Sequence, residues 1–314
     1  MIIRGLDLAN LGEQLAPANP GKVLLLDGDF LVYKAAATVK TLPTAIRRFY
    51  QLVLEEMFLV GVQECFVYLT PTGCAKCNRW HLPTVKPYQG QRANRVELPL
   101  KGPLKTHLLN NPDEYSSQNI QVVGSMFYEA DDLIVMDSYA FKERCIVSSG
   151  DKDLWLSPWA RMNAETGEVW APLEDSYGWI EWDETKAMPV RGHGLKFFWW
   201  QMLAGDEADN IKGIRTLHGR LCGKATAFQA INPMATADEA AELVIGAYAA
   251  INQDPLAEAE ALFLRRHERD SGYEYIMSVL ANPAYRDWLT SLRDYHTQHI
   301  QYVQELSLYG IEET

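Results

Sequence analysis

The chain has 314 residues, of which 47% are hydrophobic, and its formal net charge is −12. This size suits one large domain or two closely associated ones, and the acidic excess does not by itself indicate a nucleic-acid-binding protein. Five cysteines are an odd number in a long chain, so they exclude a simple disulfide framework and favour a reducing compartment. The start of the chain lacks the apolar core of a signal peptide, and no apolar run reaches membrane-spanning length. We therefore expect a cytoplasmic protein without a membrane partner.

The first predicted elements follow a polar extension over residues 1–20. Residues 22–26 form a continuous apolar run, which is typical of a strand buried on both faces, and the run ends at Asp27. The pattern then predicts helices over 30–38 and 45–60, divided by Pro43, and a second strand over 66–69.

Residues 74–107 form a basic segment, with seven lysines and arginines and Glu97 as its one acid. Trp80 and Tyr88 lie among the bases, and cations interleaved with aromatic rings suit a phosphate backbone and stacked bases. A solvated connection is the alternative, because the segment is rich in proline and glycine. We predict that nucleic acid is contacted by Lys76, Arg79, Lys86, Tyr88, Arg92 and Arg95.

Acids recur at the ends of apolar elements through the middle of the chain. A strand over 120–123 leads to a helix whose first turn is acidic, and a short strand over 145–147 leads to an acidic loop. An apolar helix over 195–203 runs into a further acidic turn, and the tail from residue 235 is predicted to be helical, with breaks at Pro255 and Pro283. The recurring acids are Asp27, Glu129, Asp131, Asp132, Asp151, Asp153, Asp206 and Asp209.

These carboxylates predict a metal site. The carboxyl ends of strands in an open α/β sheet are where ligands bind, and hard divalent cations prefer oxygen ligands. Two such ions could activate water and stabilise the leaving oxygen of a phosphate ester. The alternative for each cluster alone is structural, because acids favour the first turn of a helix and aspartate is common in turns. Asp206 and Asp209 are three residues apart and would share a face if they open a helical turn.

Four strings in order carry a resemblance to a known family. VLLLDGDFLVYKA, YEADDLIVMD, VSSGDKDL and GDEADNIKGI span residues 22 to 214 and resemble the flap endonucleases, most closely the bacteriophage 5′–3′ exonuclease branch. The resemblance implies a mostly parallel sheet flanked by helices, a helix-two-turn-helix module and a helical carboxyl-terminal region. It implies a nuclease core over 21–192, with the basic segment as its arch, and a DNA-binding region over 193–314.

The resemblance also implies an activity and a set of ligands. The eight recurring acids would be catalytic and would hold two Mg²⁺ ions, with Mn²⁺ as a substitute. The substrate would be duplex or flapped DNA with a 5′ end, and an RNA–DNA hybrid as well, in phage-type replication or recombination. After Asp209, a helix-two-turn-helix module would bind the DNA backbone, with a K⁺ ion at the module. The predicted phosphate contacts there are Gly213, Gly219, Gly223 and Lys224.

Three positions depart from the family pattern. The turn after the second strand, residues 69–73, lacks the family's acid. Gln89 stands where the arch of the family has a lysine. Residues 213–224 are longer than the family's compact turn.

Alternative interpretations remain open from the residues. Asp27-Gly28-Asp29 after a strand also suits a haloacid-dehalogenase-type phosphatase, which would form an aspartyl-phosphate on Asp27. A nuclease-like fold kept only as a DNA clamp is another possibility. Cys74, Cys77 and His81 have the spacing of part of a structural zinc site, although a fourth ligand is not evident.

Overall fold

The computed structural model describes residues 2–3, 6–7, 19–92, 98–164, 166–186 and 188–308. Most of the predicted extension over 1–20, and Arg95, lie outside the described residues. The chain divides into two compact units, each assembled from several segments. The first unit comprises Met1–Cys74, Val96–Leu154 and Trp159–Pro172, and the second comprises Ala75–Arg95, Trp155–Pro158 and Leu173–Thr314.

The first unit is built on a six-stranded sheet. The strands of the first unit, in chain order, are β1 (Ile2–Ile3), β2 (Leu6–Asp7), β3 (Val23–Asp27), β4 (Glu64–Leu69), β5 (Ile120–Gly124), β6 (Cys145–Ser148), β7 (Arg161–Met162) and β8 (Val169–Trp170). The sheet has the order β5-β4-β3-β6-β7-β8, while β1 and β2 form a separate antiparallel pair. Every pairing in the sheet is parallel except that of β7 with β8. The carboxyl ends of β3, β4, β5 and β6 therefore lie at one edge.

Helices flank this sheet, as the sequence predicts. They are α1 (Gly28–Ala37), α2 (Leu42–Val60), α3 (Lys101–Asn110) and α4 (Ala130–Phe141). All five residues of β3 are buried, because its neighbours β4 and β6 and the adjoining helices enclose it. Pro43 lies in the first turn of α2, where its missing N–H costs no helical hydrogen bond. The predicted split between the first two helices is confirmed.

The second unit is mostly helical. It contains the antiparallel pairs β9 (Trp179–Trp182) with β10 (Val190–His193) and β11 (Thr216–Leu217) with β12 (Arg220–Leu221). Its helices are α5 (Lys196–Ala204), α6 (Lys224–Ile231), α7 (Ala237–Ala250), α8 (Leu256–Leu262), α9 (Gly272–Val279) and α10 (Pro283–Leu308). Short 3₁₀ turns cover Lys76–His81 and Gly90–Arg92. The predicted helical tail is confirmed, and new helices begin at the two predicted breaks.

The core of the second unit surrounds α5. Eight of its nine residues are buried, so this helix is enclosed on every side by the rest of the unit. The indole of Trp199 donates a hydrogen bond to the hydroxyl of Tyr275 at 3.0 Å, and that of Trp200 donates to the carbonyl of Lys224 at 3.2 Å. The mostly parallel sheet with flanking helices and the helical carboxyl-terminal region confirm the predicted fold class.

Within the described part of the chain, no helix combines the length and the apolar character needed to span a bilayer.

Candidate active site

The first predicted acid lies at the junction of β3 and α1. Asp27 ends the strand and caps the helix, since its Oδ1 accepts the backbone N–H groups of Asp29 at 3.1 Å and Phe30 at 3.5 Å. The hydroxyl of Ser149, which follows β6, donates to Asp27 Oδ2 at 2.7 Å. The Asp27 carboxylate is thus fixed from two neighbouring strand ends, and only 8% of the residue is exposed.

A glycine makes this junction possible. A Cβ atom on Gly28 would lie 2.7 Å from the carbonyl oxygen of Tyr68 and 2.7 Å from Val67 Cγ1 in β4. Real Cβ atoms do not approach backbone that closely, so a side chain at this position would push α1 away from the sheet. Gly28 therefore sets the position of Asp27 relative to the sheet edge.

The second acidic group occupies the first turn of α4. Glu129 is the N-cap residue, and its side chain accepts the backbone N–H of Asp132, whose Oδ2 in turn accepts the backbone N–H of Glu129 at 3.3 Å. This reciprocal capping box satisfies two donors that the helix start leaves without intrahelical partners. Asp131, between them, is half-buried and faces the other acids of the edge.

Asp132 has a structural role at the start of α4. It is completely buried, and it serves the capping box of that helix. Glu129 serves the same capping box, so this contact does not remove Asp132 from the predicted ligand set. Its role as a metal ligand stays a prediction.

The third group follows β6 in a loop that side chains shape. The backbone N–H of Asp151 donates to Ser149 Oγ at 2.9 Å, and that of Asp153 donates to Asp151 Oδ1 at 3.0 Å. Lys152 forms an ion pair with Asp153 at 2.8 Å. Ser149 thus anchors both Asp27 and the loop that carries Asp151.

The electrostatics show that these groups crowd one another. Burial and the neighbouring carboxylates of Asp29 and Asp151 raise the pKa of Asp27 to about 6, although the Ser149 hydrogen bond opposes the shift. Burial, followed by the charges of Asp151, Asp27, Glu129 and Asp153, raises the pKa of Asp131 well above its ordinary value. A divalent cation would relieve this repulsion, and the ligand atoms are the carboxylate oxygens that hard cations prefer. The residues present therefore fit such an ion.

Two further acids near this edge have partners of their own. Lys105 Nζ lies 2.6 Å from Asp29 Oδ1, and the backbone N–H of Thr70 donates to Asp29 Oδ2 at 3.3 Å. The hydroxyl of Tyr68 donates to Asp137 Oδ2 at 2.6 Å. These contacts indicate structural roles for Asp29 and Asp137.

Thr70 occupies the turn that lacks the family's acid. Its carbonyl accepts Lys105 Nζ at 3.0 Å, and its hydroxyl accepts the backbone N–H of Ala130 at 2.9 Å. Thr70 therefore ties the end of β4 to α3 and to the start of α4. The sequence pattern did not predict this role of Thr70 or that of Ser149, although the place of Ser149 two residues before Asp151 is a usable signal.

In the second unit, Asp206 and Asp209 belong to one tight loop. Asp206 and Ile211 exchange both backbone hydrogen bonds, at 2.8 and 2.7 Å, and Asp206 Oδ1 accepts the backbone N–H of Ala208 at 2.8 Å. The pair does not open a helical turn, because Asp206 uses its side chain and backbone to close this loop. Gly205, at φ +76°, allows the loop to turn against the backbone of Ile211, where a Cβ atom would lie 2.4 Å from the carbonyl oxygen. We call residues 206–211 the acid loop.

Several predicted nucleic-acid contacts are corrected by their burial. Arg79 is 1% exposed and donates to the main-chain carbonyls of Glu260 at 3.3 Å and Phe263 at 2.8 Å. Tyr88 is 4% exposed, so its ring is not open for stacking. Gly213 is buried, and its N–H points to the carboxylate of Glu258 at 3.4 Å. None of the three is available to a DNA backbone.

The remaining predicted contacts are more accessible. Lys86 and Gly219 are exposed, and Gly223 is the exposed N-cap residue of α6, whose first residue is Lys224. Lys76 donates to Gln89 Oε1 at 2.6 Å, and Arg92 forms an ion pair with Asp209 at 2.5 Å, so both basic side chains have contacts within the second unit.

The cysteine pair retains its open interpretation. Cys74 donates its thiol hydrogen to the carbonyl of Tyr128 at 3.3 Å, as a buried free thiol can. A zinc site involving Cys77 and His81 stays a prediction.

No protein-family model matches the chain, and no curated protein matches it significantly. Among solved structures, it is similar to the 5′-exonuclease of T5 with bound zinc ions, at 15% identity and a TM-score of 0.50, over 90% of this chain and 98% of that one. It is equally similar, at 15% identity and a TM-score of 0.50, to the flap endonuclease of bacteriophage T5 in complex with DNA and metal ions, over 89% of this chain and 99% of that one. The four sequence strings resemble the flap endonucleases, and this resemblance is confirmed at the level of the fold. The chain therefore has the fold of the T5 5′-exonuclease and flap endonuclease.

Proposed function

We propose that this protein is a divalent-metal-dependent nuclease that hydrolyses phosphodiester bonds at the 5′ ends of duplex or flapped DNA. The observation that carries the proposal is the crowding of carboxylates at the carboxyl edge of the parallel sheet, where the pKa values of Asp27 and Asp131 are raised. Such crowding is unfavourable without a cation, and a phosphodiester substrate supplies charge of the opposite sign to that cation. The similar T5 flap endonuclease was crystallised with DNA and metal ions, which agrees with this proposal.

The metal ligands that we propose come from both units of the chain. The first unit contributes Asp27, Glu129, Asp131, Asp132, Asp151 and Asp153, and we propose Asp206 and Asp209 of the second unit as further ligands. Mg²⁺ is the expected ion, in two positions, and Mn²⁺ should substitute for it. When bound, such a pair of ions supplies an activated water and stabilises the leaving oxygen.

The residues of the chain have separate tasks in this scheme. Ser149 and the start of α1 hold Asp27, and the capping box holds Glu129, so these carboxylates are oriented before an ion arrives. Gly219, Gly223 and Lys224 offer backbone N–H groups, a helix start and a cation to the DNA backbone. Lys86 offers a further cation, which is exposed. The K⁺ ion that the resemblance implies at this module stays a prediction.

The phosphatase alternative is disfavoured by the contacts of Asp27. A nucleophilic carboxylate needs one oxygen directed at phosphorus, yet Oδ1 caps α1 and Oδ2 accepts the Ser149 hydroxyl.

The proposal is tested with duplex DNA labelled at either end. We expect stepwise or flap-specific release of products from the 5′ end in Mg²⁺ or Mn²⁺, no cleavage in EDTA, and loss of cleavage in Asp151→Asn. A phosphate monoester and an RNA–DNA hybrid are assayed in parallel, the first to detect a phosphatase and the second to test removal of RNA primers.

Two outcomes would contradict the proposal. Hydrolysis of the monoester without cleavage of any nucleic acid would identify a phosphatase. Tight DNA binding without cleavage in any divalent ion would identify the fold as a DNA clamp.

A further inference from the structure

Residues Pro87–Arg92, which we call the strap, are fastened to the acid loop. The backbone N–H of Gln89 donates to the carbonyl of Asp209 at 2.8 Å, and Asn210 Nδ2 donates to the carbonyl of Pro87 at 2.8 Å. Gln91 Nε2 donates to the carbonyl of Ala208 at 2.6 Å. The strap, which is part of the basic segment, is therefore bound to the acid loop inside the second unit rather than forming a free arch.

Gln89 is one of two buried members of the strap, the other being Tyr88. Only 4% of Gln89 is exposed, and its backbone adopts a left-handed conformation with φ +52°, which is uncommon for a residue with a side chain. Its Oε1 accepts Lys76 Nζ at 2.6 Å. Because an ammonium group can only donate, this contact fixes which end of the amide is oxygen. The NH₂ end then faces Asp209 Oδ1 at 3.0 Å and the Tyr88 hydroxyl at 3.1 Å.

The carboxylate of Asp209 is held by three side chains of this segment. Its Oδ1 accepts Gln89 Nε2 at 3.0 Å and the Arg92 guanidinium at 2.5 Å, while the Tyr88 hydroxyl lies 3.3 Å from Oδ2. Two strong donors on one oxygen fix the rotation of the carboxylate about its bond. Metal-binding carboxylates are commonly oriented by an outer layer of hydrogen-bond donors of this kind.

The identity of residue 89 follows from its neighbours. A lysine there would place a second ammonium group against Lys76, whose Nζ lies 2.6 Å from the Gln89 amide oxygen. Like charges at that distance repel strongly in a buried site. Glutamine accepts from Lys76 and donates to Asp209 at once, so the departure from the family's lysine is matched to Lys76.

We propose that Gln89 is a positioning residue for Asp209 and that the side chains of Tyr88, Gln89 and Arg92 are the outer hydrogen-bond layer of this carboxylate toward a divalent cation. Lys76 orients the amide of Gln89, and Gln89 with Arg92 orients the carboxylate. The proposal rests on the metal site proposed above and assigns new roles to Lys76, Gln89 and Arg92, which the sequence indicated as DNA contacts or as a missing lysine.

The test is direct Mn²⁺ binding to the full chain, followed by electron paramagnetic resonance of the free ion, without substrate. We expect Asp209→Asn to abolish one Mn²⁺ site. Gln89→Ala should weaken Mn²⁺ binding at that same site by about tenfold, since loss of an outer-layer partner typically costs 10–100-fold in metal affinity. Lys76→Met keeps Gln89 but frees its amide to rotate, and it should weaken the same site by a smaller factor. Gln91→Ala is the matched control in the same strap. Among the described residues, the Gln91 side chain bonds main-chain carbonyls of the acid loop and not the Asp209 carboxylate, so its removal should leave the affinity within about twofold.

The possible results separate this inference from the proposed function. Thermal unfolding of each variant shows the fraction folded, to which the Mn²⁺ affinities are normalised. Wild-type affinity in Gln89→Ala, or equal losses in Gln89→Ala and Gln91→Ala, would overturn the positioning role. Unchanged Mn²⁺ binding in Asp209→Asn would also overturn it, while leaving the nuclease proposal with the ligands of the first unit. Absence of Mn²⁺ binding by the wild-type protein would refute the proposed function itself.

Discussion

The aspartates at the sheet edge differ in what their oxygens accept. Asp132 completes a capping box, and Asp29 pairs with Lys105, so each has a compensating partner within the fold. Burial raises the pKa of Asp131 first, and the charges of four other carboxylates that it faces raise it further. The residue type alone does not distinguish these roles, because it does not show which donors the fold brings to each oxygen.

The raised pKa of Asp27 predicts a pH dependence of metal binding. Mn²⁺ affinity should fall as the pH drops through about 6, because the ion then competes with a proton on Asp27. Ser149→Ala removes the hydrogen bond that lowers this pKa, so the midpoint should move to higher pH. Calorimetric titrations of Mn²⁺ between pH 5 and 8, as an illustrative range, measure both profiles.

The same shift has a defined sign for stability. The folded, ion-free protein holds the proton of Asp27 up to about pH 6, whereas the unfolded chain releases it near 3.8. The folded state therefore binds more protons in this window, and its free energy of unfolding should fall as the pH rises through it. Saturating Mn²⁺ should remove that decline. In the calorimetric titrations described above, a Mn²⁺ affinity that is the same at the lowest and the highest pH would contradict the assignment of Asp27 as a ligand.

Substitution of two aspartates distinguishes ligands from structural acids. We expect Asp151→Asn to lower the rate of DNA cleavage by at least ~100-fold through loss of an ion-binding charge, with little change in stability. Asp29→Asn should instead lower the free energy of unfolding by about 1–2 kcal/mol, because it weakens a charged hydrogen-bonded pair with Lys105. Cleavage rates and urea unfolding of both variants provide the comparison. Equal losses of rate would show that Asp29 also belongs to the metal site.

At the scale of elements, continuous apolar runs and capping signals predicted the strands and helices well. The run before Asp27 could only be a strand buried on both faces, and the acids before Leu133 mark a helix start. The role of Thr70 could not be predicted, because it depends on β4, α3 and α4 meeting at one turn. The strap was also missed, since its composition resembles that of a solvated nucleic-acid-binding loop and only the tertiary contacts of Gln89 reveal the difference.

At the junction of β3 and α1, the close packing of Gly28 against β4 predicts that one added methyl group strongly destabilises the fold. Gly28→Ala should lower the free energy of unfolding by about 1–3 kcal/mol, because its Cβ would overlap backbone of β4. Gly102→Ala in α3 is the control, since its Cβ would meet nothing within 4 Å and alanine favours a helix. Urea unfolding measures both variants. A neutral Gly28→Ala would show that α1 can move away from the sheet freely.

Arg79 offers a test of the corrected basic segment. Its guanidinium is buried against the end of α8, so Arg79→Met should destabilise the protein by about 2–4 kcal/mol through loss of hydrogen bonds to main-chain carbonyls. DNA affinity measured under conditions where the variant is fully folded should be unchanged. A loss of DNA affinity in the folded variant would restore the predicted contact.

At the scale of the whole molecule, the sequence did not reveal that both compact units are discontinuous. The basic segment was predicted as an appendage of the nuclease core, whereas residues 75–95 group with the helical unit. Composition marks such a segment as distinct but does not show which core it joins, because that depends on single buried contacts such as those of Arg79. The net charge of −12 was similarly uninformative, since the acids include a clustered group that a bound cation would offset.

The charge distribution predicts how DNA binding should depend on salt. Lys224 begins α6 beside the exposed Gly223, so its ammonium group and the helix start can share one phosphate. Lys224→Ala should weaken binding equally for all sequences and reduce the slope of log affinity against log salt by ~0.9, the value expected for one lost phosphate contact. Lys22→Ala is the matched control, because Lys22 precedes β3 and lies at the opposite edge of the sheet from Asp27. Binding is titrated in Ca²⁺ to suppress cleavage, at several salt concentrations. Equal slopes for Lys224→Ala and the wild-type protein would remove α6 from the proposed DNA surface.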